Sequence, residues 1–394
     1  MQSHEPDGPS EAGTALRRAV SPLELFFDLA FVFALIQLSA HLHSDVSWRG
    51  AAETGVMLVA ILGTWAFTSF DATFLDVRRA RTQALLLAVM GLGLFMNAQI
   101  PHAFGTRPWA FVTPLAAILL LTGVTAAMAA PTPVLRDHYR RVLAWAAVSV
   151  PLWLVGAATG QGPRLAWWGA AAAVDLVGTW WAHPLPGRVL SSRNFVFDAE
   201  HMVERVRLFL ILQLGETVLT IGVSISDAPV DPPSVAAALG VFIVLVCLWA
   251  TYFGGGEEVV TRQVATTVDP LLSVRRAVNG KYGTLAGLVI LAVGSELLIS
   301  HPTGSGGTRL GLLLFGGPIL YLLTQAWWYY VTTRRAWAAR LIACAACAVT
   351  GIAARWLPPL VSVLILDVIL IVLAVVLLRV HRQVIQALVT PTGT

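Results

Sequence analysis

The stretch Phe197-Asp-Ala-Glu-His-Met-Val-Glu-Arg-Val-Arg-Leu-Phe-Leu-Ile-Leu-Gln-Leu-Gly-Glu216 decides how this chain is read. It opens with acids, a histidine and arginines, then runs into a segment apolar enough to cross a membrane, with Glu216 near the middle of that segment. A carboxylate in hydrocarbon costs roughly 2.5 kcal/mol or more, so an acid placed there calls for a physical reason. Glu200, Glu204 and Arg205 stand where the helix enters the membrane. At helical spacing, Arg205, Phe209, Leu212 and Glu216 fall on one stripe, which carries polarity from the surface inward. Gly215, beside the acid, permits a close approach by another backbone. The neighbouring His201 reads as a surface histidine, and Arg205 reads either as a side chain snorkelling to the interface or, like Glu204, as one that pairs across to other helices.

Outside this stretch the composition is that of a polytopic membrane protein. Of 394 residues, 57% are hydrophobic and 12% charged, against about 25% charged in soluble domains. Mean hydropathy is +0.73. The 14 tryptophans suit anchoring at bilayer edges. Lys281 is the sole lysine, so the net charge of +4 rests on arginine, and no basic run is long enough to bind nucleic acid. Cys247, Cys344 and Cys347 all lie in apolar runs without the further ligands a zinc site requires. No cofactor fingerprint appears: the chain lacks a phosphate loop, a His-Glu-x-x-His and a nucleophile elbow.

Spans need about 20 apolar residues each. The sequence predicts twelve, at approximately 22–42, 52–74, 83–103, 108–129, 142–160, 164–183, 204–225, 234–255, 282–301, 308–331, 337–355 and 358–379. Residues 1–20 are polar and read as a tail, and residues 21–393 as one helical domain. Pro22, Pro108, Pro163, Pro233 and Pro358 fall at or near segment starts, whereas Pro114, Pro151 and Pro318 fall within spans. With loops alternating sides, Arg49, Arg107, Arg164, Arg309 and Arg355 lie on one side and the other 21 of the 26 basic residues on the opposite side. Positive loops face the cytoplasm, so both termini are expected there.

Two parallel six-helix repeats are expected, with halves at 21–190 and 197–382. Asp28 and Glu216 lie 188 positions apart, each in the first helix of a half. Arg140-Arg141 matches Arg334-Arg335, and Trp65-Ala-Phe-Thr-Ser-Phe70 matches Trp249-Ala-Thr-Tyr-Phe253. Asp175 and Asp367 occupy the middles of the sixth and twelfth segments.

In the first span, Ser21-Pro-Leu-Glu24 has the form of a helix start: cap, proline, then an acid at the third position. Glu24 and Asp28 share a face one turn apart, and Asp28 is deep enough to need a proton, an arginine or a cation. Asp71, close to Asp76 and Arg78, reads as a pairing residue, and Glu296 as a solvated acid beside His301.

At these residues the chain resembles the bacterial low temperature requirement A family. The resemblance rests on Ser21-Pro-Leu-Glu-Leu-Phe-Phe-Asp-Leu-Ala-Phe-Val-Phe-Ala34, on Glu200-His-Met-Val-Glu-Arg205 with Leu208-Phe209, and on Leu214-Gly-Glu216. Weaker matches are Trp249 to Phe253, Gly294-Ser-Glu296 and His301-Pro302. The resemblance implies a multi-helix bacterial inner-membrane protein, in a family named for a growth phenotype rather than a reaction. Gly254-Gly255-Gly256 stands where it leads one to expect Asp-Arg, and Lys281 where it leads one to expect histidine.

The expected function is a proton- or cation-linked transporter in the bilayer that carries a small molecule or ion. Glu24, Asp28, Asp71, Glu200, Glu204, Arg205 and Glu216 are its candidate binding and coupling residues. An alternative is a membrane-embedded enzyme for a lipid or isoprenoid diphosphate, with Glu24, Asp28, Asp71 and Asp76 as magnesium ligands. A third is a cation channel lined by these acids.

Overall fold

The computed structural model describes residues 19–75, 77–186, 190, 198–254, 267 and 269–389, with side chains at 381 and 383–389 left aside. Asp76, Gly255, Gly256 and most of the N-terminal tail lie outside the described residues. Thirteen helices occupy the described chain. They are α1 (Pro22–Ser44), α2 (Trp48–Leu75), α3 (Ala80–Ala98), the single-turn α4 (Ile100–Ala103), α5 (Pro108–Ala129), α6 (Pro133–Ala158) and α7 (Gln161–Trp181). There follow α8 (Ala199–Asp227), α9 (Pro232–Phe253), α10 (Pro270–Ser300), α11 (Gly307–Thr332), α12 (Trp337–Ala353) and α13 (Pro359–Val389).

Each of the twelve predicted segments overlaps a different helix, except that the segment at 83–103 takes in both α3 and the single-turn α4. Ten of the helices are long and apolar enough to cross a bilayer; α7 is not among them, and α12, at 17 residues, is shorter than the rest. The chain is therefore an all-helical, multi-pass membrane protein. Three helices begin well before the predicted starts: α6 at 133, α8 at 199 and α10 at 270. Hydropathy registers the part of a helix that lies in hydrocarbon, whereas these helices continue through polar turns carrying Arg136, Arg140, Arg275 and Arg276.

The starts are chemically specified. Ser21 and Glu24 form the reciprocal box at α1, with Ser21 N donating to Glu24 Oε2 at 2.9 Å and Glu24 N to Ser21 Oγ at 3.3 Å. Asp198, Asp231 and Asp269 accept backbone N–H bonds from His201, Ser234 and Leu272 to cap α8, α9 and α10. Pro22, Pro108, Pro133, Pro232 and Pro270 occupy first helical positions, where the missing donor costs nothing. Pro114, Pro151 and Pro318 stand inside α5, α6 and α11.

One continuous core of buried apolar side chains takes residues from α1 through α13. Many large side chains on the opposite faces are exposed and apolar, among them Phe95, Ile342, Val349 and Val368. That outward dressing fits lipid and not water. Helix α1 packs on α2, α3, α8 and α10, which places the starts of α1 and α8 side by side. Helices α10 and α11 meet backbone to backbone. A Cβ on Gly317 would lie 2.6 Å from the Gly287 carbonyl oxygen, and one on Gly287 would lie 2.6 Å from that of Gly317. Small residues at such a crossing let two backbones pack directly in the absence of a hydrophobic drive.

Candidate functional site

The capping box leaves the Glu24 carboxylate at the end of α1 that meets α8. Its Oε1 accepts from His201 Nε2 at 3.0 Å and lies 3.6 Å from the Arg205 guanidinium. One turn deeper, Asp28 Oδ1 accepts from Arg205 at 3.1 Å and from the Trp65 indole N–H at 2.8 Å. Arg205 also reaches the Ser69 carbonyl oxygen at 3.4 Å, which ties α2 into the cluster, and its guanidinium lies 5.8 Å from the Phe27 ring centroid. Trp65 is stacked on Phe209 at 4.1 Å between centroids. Glu24, Asp28 and Arg205 are 0% exposed and His201 is 2% exposed.

Helical spacing explains the assembly. His201 and Arg205 are one turn apart on α8, as Glu24 and Asp28 are on α1, so two steps of one ladder face two steps of the other. Of the two readings of Arg205, pairing across to another helix holds and snorkelling does not, because α1 supplies two carboxylates inside the bundle. One expectation is corrected. His201 is not a surface histidine, because Glu24 lies directly across from it.

The remaining acids go elsewhere. Glu204 points away from the cluster and pairs with Arg207 at 3.0 Å on the surface. Glu200 is half-buried in the first turn of α8. Glu216 is buried with the Thr220 hydroxyl donating to its Oε1 at 2.6 Å. It lies 11 residues beyond Arg205, about 16 Å further along the helix axis. Among the described residues nothing lies within 4 Å of the Cβ position of Gly215, so the close approach a glycine permits is not used there. Glu296 is half-exposed and pairs with His43 at 3.2 Å, so it is not simply solvated.

Asp71 is fully internal and accepts from Tyr139 of α6 at 2.7 Å. It lines a cavity of about 50 Å³ between α2, α6, α7 and α10, together with His138, His183 and Arg275. A separate basic group is buried in the second half of the chain. Arg340 of α12 donates to Gln325 at 3.1 Å and to the Thr251 carbonyl oxygen at 3.1 Å, with its guanidinium 3.8 Å from the centre of the Tyr329 ring. Lys281 donates to the Tyr252 hydroxyl at 2.8 Å with its ammonium 4.1 Å from that ring's centre, so the unexpected lysine meets the aromatic motif of α9. Sequence reading passed over Trp65, Tyr139 and Arg340. The available signal was an aromatic or arginine at a depth where a neighbouring helix carries an acid or amide. Among the described residues no three His, Cys, Asp or Glu side chains gather as a metal-binding group.

Two comparisons bear on identity. The family model described as "Bacterial low temperature requirement A protein (LtrA)" matches residues 19–375, from just before α1 to within α13. The chain is also similar to "Uncharacterized protein RA0937" of Rhizobium meliloti (strain 1021), with 30% identity over 316 residues, covering 79% of this chain and 77% of the relative. The cluster of Glu24, Asp28, His201 and Arg205 falls within the matched region. The chain belongs to the bacterial low temperature requirement A family.

Proposed function

We propose that the protein is a proton-linked transporter of twelve membrane-spanning helices in the bacterial cytoplasmic membrane, with both termini cytoplasmic. The Glu24–His201 and Asp28–Arg205 ladder is its coupling group. One observation carries this reading: among the described residues the fully buried ladder holds two carboxylates and one guanidinium, with an imidazole beside them. Ionised carboxylates with a neutral imidazole would leave one uncompensated negative charge in a low-dielectric interior, which is costly. One proton on the ladder, on His201 or on a carboxyl, balances it. The number of bonds holding α1 against α8 therefore depends on a proton. A helix pair whose bonding depends on a proton is the element a coupled carrier needs. The lipid-enzyme reading is less favoured, because Glu24 Oε1 and Asp28 Oδ1 face His201 and Arg205 and Asp71 Oδ1 faces Tyr139, and among the described residues no three His, Cys, Asp or Glu side chains gather as a metal-binding group.

The test is substrate-evoked charge movement in proteoliposomes, recorded on a solid-supported membrane across a panel of small cationic and zwitterionic metabolites. Currents that follow an imposed pH gradient, and that His201→Gln abolishes while the protein still folds, are expected. Currents unchanged in His201→Gln would remove the ladder from coupling. Turnover of an isoprenoid diphosphate by the purified protein, with no evoked current, would replace the transporter with the enzyme.

A further inference from the structure

The cavity beside Asp71 has a neighbour. A second cavity of about 10 Å³ lies against it, lined by Thr122, Trp145 and the mid-membrane acid Asp175 among others, and the two share Phe67 and His183. The larger has room for roughly four waters and the smaller for about one. Polar groups facing this space call for partners. The Nδ1 atoms of His138 and His183 are buried without a hydrogen-bond partner among the described residues. The two rings sit 5.8 Å apart, centroid to centroid. Buried imidazole nitrogens left unbonded by protein are expected to bond water.

The chain holds His183 in place at some conformational expense. Ala182 and His183 both adopt left-handed backbone angles, with φ of 56° and 53°. Non-glycine residues seldom take this conformation, and two in succession persist only where surrounding bonds enforce them. Here His183 N donates to the Gly178 carbonyl oxygen at 2.6 Å, Arg141 donates to the His183 carbonyl oxygen at 3.2 Å, and the ring rests against Phe67. The result turns the imidazole back under the end of α7, onto the partition between the two cavities. Beyond it, Asp175 Oδ2 accepts from the Trp153 indole at 2.9 Å.

We propose that His183 is a proton relay joining a hydrated vestibule at the arginine-rich face to the carboxyl of Asp175 in the middle of α7. The vestibule side presents Asp71, Tyr139, His138 and Arg275, with Arg141 behind His183, and Tyr282 of α10 is within electrostatic range of Asp175. A vestibule water gives a proton to one ring nitrogen, and the other ring nitrogen releases its own proton inward to the Asp175 carboxylate. One proton is gained and one lost by the ring, and a tautomer exchange through the waters resets it. The path is separate from the α1–α8 ladder and stands whether or not the ladder couples transport.

The test is hydrogen–deuterium exchange of the Asp175 carboxyl, read by infrared difference spectroscopy on the protein in lipid nanodiscs. The band is identified by its loss in Asp175→Asn. In the wild type it shifts on a time course slower than buffer exchange into D2O, so that both slowing and speeding can be read. In His183→Phe the exchange slows by about tenfold or more, as expected when an opening to water is closed. Phe67→Ala thins the partition from its other side and speeds exchange, and it decides the matter should His183→Phe not fold. Exchange in His183→Phe as fast as in the wild type overturns the relay. So does exchange unchanged in Phe67→Ala, or a spectrum in which Asp175→Asn removes no carboxyl band. Because the readout is exchange and not flux, neither result bears on the transport reading.

Discussion

Asp28 and Arg205 are each the seventh residue of their helices, and they meet at 3.1 Å with neither exposed. Helices α1 and α8 start at the same face, so equal depth brings equal positions together. The sequence pairs Asp28 with Glu216 by distance along the chain, but by depth in the bundle Asp28 corresponds to Arg205. The tryptophan match behaves similarly: Trp65 is 0% exposed and bonded to Asp28, whereas Trp249 is 49% exposed.

Removing one member of a buried pair strands the other, which costs about 3–5 kcal/mol. Arg205→Ala is therefore expected to lower the melting temperature more than any single carboxylate replacement, since it strands two acids at once. Combining it with Asp28→Asn is expected to cost less than the sum of the singles. A double-mutant cycle on purified protein checks this, and additivity would mean the pair contributes nothing of its own.

Gly317→Ala forces a methyl to within 2.6 Å of the Gly287 carbonyl oxygen and 2.8 Å of Leu291 backbone nitrogen. Overpacking of this kind costs about 1–3 kcal/mol. Gly215→Ala is the matched control, because nothing lies within 4 Å of its Cβ position, and there a gain of about 0.5–1 kcal/mol is expected from helix propensity. Thermal shifts of opposite sign in the two variants are the expected outcome.

Asp367 of α13 is buried, and neither carboxylate oxygen has a hydrogen-bond partner among the described residues. An unsatisfied buried group costs about 1–3 kcal/mol, so Asp367→Leu is expected to raise the melting temperature. A fall would mean that the carboxyl holds a partner in the membrane.

Asp231, at the start of α9, has its carboxyl held below the usual range by the hydrogen bonds from Ser234. With the folded value depressed, its capping contribution is complete above the unfolded value of about 3.9 and is lost as pH falls through the folded one. The melting difference between wild type and Asp231→Ala is thus expected to be full at neutral pH and to vanish in acid. A difference independent of pH would show that the charge plays no part in the cap.

Much of this protein is decided by local chemistry. A run of apolar residues has one low-energy solution in lipid, a helix with every backbone group bonded internally. For that reason the helical class, the order of the long segments and the caps at Ser21 and Asp231 are written in the one-dimensional chain. The alternation of arginine-rich and arginine-poor loops belongs to the same level.

What the linear chain does not contain is which faces meet. Glu24 and His201 are 177 residues apart, and Asp71 and Tyr139 are 68 apart. The rotation of each helix about its own axis depends on packing, and packing is decided by contacts such as Gly287 on Gly317 and Trp65 on Phe209. The sequence therefore determined that Asp28 and Arg205 are charges needing partners inside a membrane protein. The tertiary structure decided that they answer each other, and that Glu204, one residue from Arg205, does not join them. The physical reason is that one residue turns a helix by about 100°, which separates a buried face from an exposed one.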